Sequence, residues 1–361
     1  MAALRNCLVP ALLSIAIPIF GSVAYAQQTY DVVIMGDTQF FRTTDPKLPV
    51  NTRNAVSLAS NHLQVMAIND FASQVGSNYV GTIINGDLTE FGRNDGDYNQ
   101  LLEFRNYYNE SNLPKGEFWP GLGNHDYENN VNDSHENNAA LRMVQYLMVD
   151  TIKRLSSKHG IVASDVTSRN ENGAFVVEGS LSYSWDIGKD YRFIQSNNYP
   201  DYKVSFNGWH WENPFWPTSR DITRRYVAIP SSIANGWLMK QLDTAVSDGK
   251  KVVLNMHHPN STPKGVPNKG EWDKLDTLMK NYSNIEAVFV GHFHENLGQC
   301  DGGFGDTIGH NVPVFYSGTP IYATMLVAKL GGVNGLEVDR YSTAQGSARK
   351  LGTAFGTCLR W

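Results

Sequence analysis

The chain has 361 residues, of which 41% are hydrophobic and 18% are charged, and its formal net charge is -5. A chain of this length and composition can bury one large core or two small ones, which argues against a disordered protein. The negative net charge gives no overall positive field to attract nucleic acids, so it argues against a nucleic-acid-binding scaffold but not against a phosphate substrate.

The first 26 residues have the three parts of a secretory signal peptide. Arg5 precedes an apolar stretch from Leu8 to Val23, and Ala24-Tyr25-Ala26 has the small-x-small pattern of a cleavage site. A membrane anchor is the alternative, but prolines, serines and a glycine interrupt the stretch, which is short for a membrane span. We therefore expect 1–26 to be a signal peptide, 27–361 to be one folded domain, and the protein to be secreted or periplasmic.

Apolar runs rich in β-branched residues alternate with helical patterns along the rest of the chain. The predicted strands are 30–35, 79–84, 117–122, 251–256 and 285–290, with a hairpin over 181–187 and 191–196. The predicted helices are 54–73, 97–108, 231–246 and 271–282, with a further helical stripe between 134 and 159. This alternation predicts an α/β architecture with its chemistry at one edge of a sheet.

The segment from Asn198 to Tyr226 is rich in aromatic residues and shows no sustained periodicity. One interpretation is a long insert whose aromatic side chains pack on the core. The other is a substrate wall, or a surface that contacts lipid or sugar. The pattern leaves both open.

Cys300 and Cys358 are the two cysteines that remain after 1–26 are removed. In an exported protein such a pair can form a disulfide, and the alternative is two buried thiols. Neither cysteine lies in a CxxC or Cys/His cluster, which argues against cysteine-ligated zinc.

Five short polar blocks follow apolar runs and carry the groups that can do chemistry. They are Gly36-Asp37-Thr38-Gln39, Gly86-Asp87, Gly121-Leu122-Gly123-Asn124-His125-Asp126, Met256-His257-His258-Pro259 and Gly291-His292-Phe293-His294. Two divalent cations, about 3.5 to 4 Å apart, need a bridging carboxylate, further oxygen or imidazole ligands, and open positions for water and a phosphoryl oxygen. Oxygen and nitrogen ligands without thiolate suit Mn, Fe or Zn.

In this order the blocks resemble those of the calcineurin-like metallophosphoesterases, whose pattern is Asp-x-His, Gly-Asp, Gly-Asn-His-Asp/Glu, His and Gly-His-x-His. The resemblance spans 37–294. It implies a single catalytic domain with a two-sheet β-sandwich flanked by helices, in four layers (α/β/β/α), and two metal ions. By the resemblance, Asp87 would bridge the ions, Asp37 and His294 would bind one, and Asn124, His257 and His292 would bind the other.

The same resemblance leaves His125 as the general acid. A metal-bound hydroxide would attack phosphorus in line while the His125 imidazolium donates a proton to the leaving oxygen. Asp126 is expected to orient that imidazole. His257 is preferred to His258 as the ligand because the family places this ligand two residues before a proline, here Pro259. His258 would then lie behind the ligands or face the substrate.

Gln39 stands where the family usually has histidine. Its amide oxygen can bind a hard cation, but it is a weaker, neutral donor than imidazole, so the first metal is expected to be more labile or more Mn-like. Alternatively, Gln39 only hydrogen-bonds Asp37. Some branches of the family, including manganese-dependent ADP-ribose and CDP-alcohol pyrophosphatases, also tolerate Gln here, which favours a working site.

The sequence thus predicts a secreted dinuclear-metal phosphohydrolase that cleaves a small phosphomonoester or phosphodiester. The substrate stays open between a nucleotide or pyrophosphate, whose base the aromatic segment would stack, and a phospholipid headgroup, with the aromatics at a membrane surface. A secreted binding or toxin module is the alternative, in which Gln39 marks a degenerate metal site. The nearly complete set of metal-binding residues favours the enzyme.

Overall fold

The computed structural model describes 28–90, 94–95, 98–109, 111–114, 117–127, 143, 146, 151–158, 160–171, 174–197, 202–207, 224–258, 275, 277–300, 312–332 and 334–361. The predicted signal peptide and most of the aromatic segment lie outside these ranges. Among the described residues, no helix has the length and apolar character needed to cross a membrane.

Strands make up most of the regular structure in the described ranges. The first ten are β1 (Tyr30–Met35), β2 (Tyr79–Ile84), β3 (Asn94–Asp95), β4 (Tyr98–Asn99), β5 (Phe118–Pro120), β6 (Ile161–Ser164), β7 (Thr167–Glu171), β8 (Ala174–Glu178), β9 (Tyr183–Ile187) and β10 (Tyr191–Ser196). The next ten are β11 (Tyr202–Asn207), β12 (Arg224–Ile229), β13 (Lys251–Met256), β14 (Ile285–Val290), β15 (Asn296–Gly298), β16 (Val314–Ser317), β17 (Thr324–Gly332), β18 (Gly335–Ser342), β19 (Arg349–Thr353) and β20 (Cys358–Arg360). The helices are α1 (Val50–Val75), α2 (Gln100–Tyr107), α3 (Asn124–Tyr127), α4 (Lys153–Lys158) and α5 (Trp237–Ser247), with short 3-10 turns at Gly76–Asn78, Pro320–Tyr322 and Ala344–Gly346.

Two large sheets form the centre of the molecule. The first has six strands in the order β19-β18-β17-β1-β2-β5, and the second has eight in the order β20-β15-β16-β14-β13-β10-β9-β6. In the first sheet β1, β2 and β5 run parallel, whereas β17, β18 and β19 are antiparallel additions. In the second, β10, β13, β14 and β16 run parallel.

The two sheets pack face to face, and alternation along β1 shows how the layers arise. Val32 and Ile34 join an apolar core with Phe289 of the second sheet. Val33 on the opposite face packs in a core with Ile68 of α1. Successive side chains of a strand point to opposite faces, so one strand lines both cores. Each such buried side chain contributes about 1.5–3 kcal/mol by leaving water.

The outer face of the second sheet is covered in the same way. Leu254 of β13 packs in a third core with Leu238 and Leu242 of α5, which recur at helical spacing. The four-layer α/β/β/α sandwich expected from the sequence is therefore confirmed.

The predicted strands and the hairpin of β9 and β10 are confirmed, and the differences lie at helix starts. The helix expected from 97 begins at Gln100, because 98–99 pair with 94–95 as β4 and β3. The helix expected from 231 begins at Trp237, after turn residues. The spacing of apolar residues that predicts a helix gives no sign of a short strand pair or a turn just before the helix, because neither one changes that spacing.

The aromatic segment contains two strands that the sequence pattern did not predict. β11 and β12 pair with each other, and β12 also runs parallel to β8, in a four-stranded sheet. In β11, Tyr202, Val204 and Phe206 alternate with polar residues, which is a local strand signal that the sequence prediction missed. The pairing with β7 and β8 involves segments separated in sequence, so periodicity carries no signal of the sheet itself. Of the two alternatives left open for Cys300 and Cys358, the structure has the disulfide.

Candidate metal centre

The five polar blocks meet at one edge of the sandwich. β1, β2 and β5 end at Met35, Ile84 and Pro120, while β13 and β14 of the other sheet end at Met256 and Val290. Within each sheet these strands are parallel, so their carboxyl ends open on the same edge. Each block begins within two residues of its strand's end, which explains how side chains so distant in sequence converge.

Hydrogen bonds connect the loops that carry the polar blocks directly to one another. The backbone N–H of Asp37 donates to the carbonyl of Gly86 at 3.0 Å, and that of Gln39 donates to the carbonyl of Asp87 at 2.9 Å. Across the two sheets, the N–H of His292 donates to the carboxylate of Asp37 at 3.0 Å. The site is therefore a network of backbone contacts and not a set of independent loops.

Buried polar side chains of α1 support the same loop. Asn61 donates to the carbonyl of Thr38 at 3.0 Å, and the hydroxyl of Ser57 accepts from the N–H of Phe41 at 2.8 Å. Tyr108 in turn donates to the amide oxygen of Asn61 at 2.9 Å. The polar stripe on the buried side of α1 thus holds the first block in place.

Four residues of the blocks have a left-handed backbone that non-glycine residues seldom adopt. They are Asp37 (φ 52°), Gln39 (φ 27°), Asp87 (φ 49°) and His292 (φ 71°). Such conformations cost on the order of 1–3 kcal/mol each and persist only where the surroundings enforce them. Their concentration here marks the loops as a functional site.

Gly123 lets the third block approach Asp87 closely. A Cβ at this position would lie 2.1 Å from Asp87 Oδ1 and 2.5 Å from Asp87 N. The close approach allows the backbone N–H of His125 to donate to Asp87 Oδ1 at 2.9 Å. Any side chain at this position would displace that carboxylate.

The substitution Gly123→Ala is therefore expected to weaken metal binding at least about tenfold, the scale seen when groups that hold a metal ligand are disturbed. Titration of the purified variant with Mn²⁺ measures this. Gly332→Ala is the matched control, because a Cβ there meets nothing within 4 Å. Equal Mn²⁺ affinities in the two variants would contradict the assigned contact.

The structure assembles two groups of side chains that could hold metal ions. The first consists of Asp37, Asp87 and His294, and the second of His257, His258 and His292; within each group the ligand atoms lie within 4.8 Å of one another. Asp87 connects the groups, because its Oδ2 lies 3.3 Å from His257 Nε2. His294 Nε2 lies 3.3 Å from Asp37 Oδ1. The donors are oxygen and nitrogen atoms only, as a pair of Mn, Fe or Zn ions requires.

The ring of His257 is oriented for a ligand. Its Nδ1–H donates to the carbonyl of Asn85 at 2.7 Å, which directs Nε2 into the site. That nitrogen lies 3.2 Å from the amide oxygen of Asn124, the predicted ligand from the third block. Asn85 was not singled out from the sequence, where only its position before Gly86 marks it.

Electrostatics in the site favour the neutral form of His292 and His258, and the charged form of His257 beside Asp87. Burial opposes the charged forms of both Asp87 and His257, but attraction between them holds the pKa of Asp87 below its usual value and raises the pKa of His257 to about 9. Burial, together with the charge of His257, lowers the pKa of His292 to about 4 and that of His258 well below the ordinary value. A neutral imidazole is the form that binds metals.

Gln39 forms its hydrogen bond with Asp87, whereas the alternative interpretation of the sequence had it hydrogen-bonding Asp37. Its amide nitrogen donates to Asp87 Oδ2 at 3.2 Å, and it is fully buried. Its amide oxygen is buried and has no hydrogen-bond partner among the described residues. A buried carbonyl oxygen without a partner costs free energy, and a cation beside Asp87 would satisfy it. Gln39 therefore fits a two-metal site.

His125 lies beside the shared carboxylate and is held by Glu90. Its Nδ1–H donates to the Glu90 carbonyl at 2.9 Å, and the same nitrogen lies 3.6 Å from Glu90 Oε2. Glu90 is 8% exposed and forms an ion pair with Arg42 at 2.9 Å. Glu90 was not among the site residues predicted from the sequence, where its position three residues after Asp87 was the only indication that it lies near the site.

The contacts of Asp126 correct its expected role. Its carboxylate accepts hydrogen bonds from the backbone N–H groups of Leu88, Thr89 and Gly123 at 3.1, 3.1 and 2.9 Å. These bonds occupy both oxygens, so Asp126 ties the second block to the third, and the group found at the His125 Nδ1 is Glu90. Burial, together with the charge of Asp87, raises the pKa of Asp126 to about 7 despite the three amides.

Comparison with known proteins agrees with this geometry. The family model described as calcineurin-like phosphoesterase matches residues 30–296. No curated protein sequence matches the chain. A dimetal phosphatase from Danio rerio has a similar structure, with 13% sequence identity, a TM-score of 0.51, and 90% of this chain and 98% of that one covered.

Other solved structures are similar at lower scores. GAP50 of Plasmodium, described as the anchor in the inner membrane complex, has 13% identity and a TM-score of 0.45, with 90% and 89% of the two chains covered. A putative 5'-nucleotidase from Staphylococcus aureus has 14% identity and a TM-score of 0.44, with 92% and 54% covered. At such identities structural similarity bears on the fold alone, and the sequence match over most of the chain carries the assignment: the protein belongs to the calcineurin-like phosphoesterase family.

Proposed function

We propose that the protein is a phosphoric ester hydrolase that uses two metal ions to cleave a phosphomonoester or a phosphodiester. The position of Asp87 carries the proposal. Its carboxylate belongs to the first ligand group with Asp37 and His294, and it lies 3.3 Å from His257 in the second. A carboxylate shared between two ligand groups is what a pair of bridged cations requires.

The donors divide between the two ions as follows: Asp37, Gln39 and His294 would hold one, Asn124, His257 and His292 would hold the other, and Asp87 would bridge them. When bound, such a pair supplies positive charge beside the phosphoryl oxygens and a water molecule of lowered pKa. Mn, Fe or Zn suits the oxygen and imidazole donors.

His125 is the residue we assign to proton transfer. The bond from its Nδ1–H to the carbonyl of Glu90 leaves Nε2 to carry the proton. Its backbone N–H donates to Asp87 Oδ1, so the ring stands beside the shared carboxylate. In the reaction a P–O bond forms to the oxygen of water, and the P–O bond to the leaving group breaks. The leaving oxygen takes a proton from His125, and the proton released by the attacking water returns the imidazole to its protonated form.

Removal of metals is expected to abolish activity. Dialysis against a chelator should stop hydrolysis of a simple phosphate ester, and Mn²⁺ should restore it, because both the water and the positive charge come from the ions. Metal analysis should then find about two ions per chain, as a two-metal site holds. Full turnover by chelator-treated protein would overturn the mechanism. Fewer than two ions with no turnover would favour a binding module with a degenerate site.

We further propose that the protein acts in an oxidising compartment, secreted or periplasmic. The pattern of residues 1–26 supports this, and so does the disulfide between Cys300 and Cys358, since disulfides persist mainly outside the reducing cytosol. Sequencing the N-terminus of the exported protein checks the cleavage site after Ala26.

A further inference from the structure

An aromatic pair stands beside the metal centre on the side of Asp37 and His294. The rings of Tyr322 and Trp361 stack, with centroids 5.9 Å apart and planes inclined by 29°. Trp361 is 49% exposed and Tyr322 is partly exposed. Two large rings that stack on each other and still face solvent present a flat apolar surface next to a polar site.

The backbone of the metal centre holds both rings. The hydroxyl of Thr319 donates to the carbonyl of Asp37 at 3.0 Å, and the 3-10 turn that carries Tyr322 starts at the next residue. The N–H of Trp361 donates to the carbonyl of Glu295 at 3.1 Å, one residue after His294. Pairing of β15 with β20 holds that strand end in place. The rings therefore belong to the rim of the site.

Arg42 supplies a positive charge to the same rim. Its backbone N–H donates to the carbonyl of Gln39 at 2.7 Å, and its side chain, 38% exposed, pairs with Glu90. Burial and the Glu295 carboxylate raise the pKa of Tyr322, and the Arg42 guanidinium opposes that rise. A guanidinium can donate several hydrogen bonds to phosphate oxygens and still keep its pairing with a carboxylate.

A guanidinium and a stacked aromatic surface recognise two adjoining chemical groups: a phosphate and a planar ring. We propose that Arg42, Tyr322 and Trp361 form a subsite for the leaving group, and that the preferred substrate is a phosphate ester whose alcohol carries a planar aromatic ring. This inference rests on the proposed hydrolase function. A nucleoside and a simple aryl group share that chemistry, whereas glycerol has no ring to stack.

The substitution Trp361→Leu tests the subsite in the metal-loaded protein. The measurement is the ratio of kcat/KM between a ring-bearing ester and glycerol phosphate, with adenosine monophosphate and phenyl phosphate as separate ring-bearing probes. Stacking of a base on an aromatic side chain gives an expected fall in this ratio of about five- to tenfold. A larger fall for adenosine monophosphate identifies a nucleoside, and equal falls identify any aryl ring.

Phe355→Leu is the matched control. Phe355 is 38% exposed and packs on Phe315 in the turn before β20, at the end of that strand remote from Glu295. This variant should keep the wild-type ratio. An unchanged ratio in Trp361→Leu, with the variant folded, would overturn the subsite.

Equilibrium dialysis with adenosine monophosphate separates the subsite from the hydrolase proposal. Binding to the wild type that weakens about five- to tenfold in Trp361→Leu supports the subsite even where no ester is hydrolysed, and in that case only the hydrolase proposal fails. Hydrolysis with equal binding by both proteins removes the subsite and leaves the hydrolase in place.

Discussion

Replacing Asp87 with asparagine should reduce turnover by at least about a thousandfold. In the proposed site the carboxylate of Asp87 would give one negatively charged oxygen to each of the two metal ions. The amide of asparagine has only one oxygen, and that oxygen is neutral. Losing about 4 kcal/mol of charge stabilisation corresponds to that factor, at about 1.36 kcal/mol for each tenfold change in rate. Metal analysis should find fewer than two ions per chain in Asp87→Asn.

The fold should survive the Asp87→Asn substitution. Asp87 is buried, and its charge raises the pKa of Asp126, but attraction to His257 holds the pKa of Asp87 itself below its usual value. A lowered native pKa means that the charged carboxylate stabilises the fold near neutral pH, so the melting temperature in the presence of a chelator should fall while the circular dichroism spectrum stays that of the wild type. Asp190→Asn, in the exposed turn between β9 and β10, is the control for removal of a carboxylate. Wild-type turnover by Asp87→Asn would end the two-metal proposal.

His125→Ala should retain both metals and lose activity by about a hundred- to ten-thousandfold, the usual contribution of a positioned general acid. The ring donates through Nδ1 to Glu90, and none of its described bonds is needed to assemble the ligand groups. The loss should be much smaller for p-nitrophenyl phosphate than for an alkyl ester, because p-nitrophenolate departs without a proton.

His62→Ala is the control for the loss of an imidazole. His62 is exposed on α1, and its ring contacts Tyr107. Equal losses for good and poor leaving groups in His125→Ala would show that this residue positions the substrate and does not transfer the proton. Loss of metals in the same variant would make it part of the ligand network.

The convergence of the blocks was predictable from the chain because it follows from a local rule. Each block directly follows a strand such as β1 or β14, and parallel strands place their carboxyl ends at one edge. Predicting this convergence requires only the apolar segment that forms each strand and the polar residues that follow it. Asp37, Asp87 and His294 were therefore identified before their contacts were known, and the structure brings them together.

The partner of His125 could not be read from the chain. Asp126 is adjacent in sequence, yet its carboxylate accepts three backbone N–H groups, while Glu90 reaches the imidazole. Side-chain direction in these loops depends on left-handed backbone conformations, which only the surrounding packing enforces. Neighbouring positions in a sequence carry no information about that geometry.

The order of residue types therefore specified the fold class, the family and the groups able to bind metal, because strand periodicity and the polar residues at strand ends are properties of short segments. Tertiary structure alone decided three things: Glu90 at His125, the buried oxygen of Gln39, and the stacking of Tyr322 on Trp361. Each depends on contacts between segments far apart in the chain, and such contacts form only when the two sheets and their loops pack.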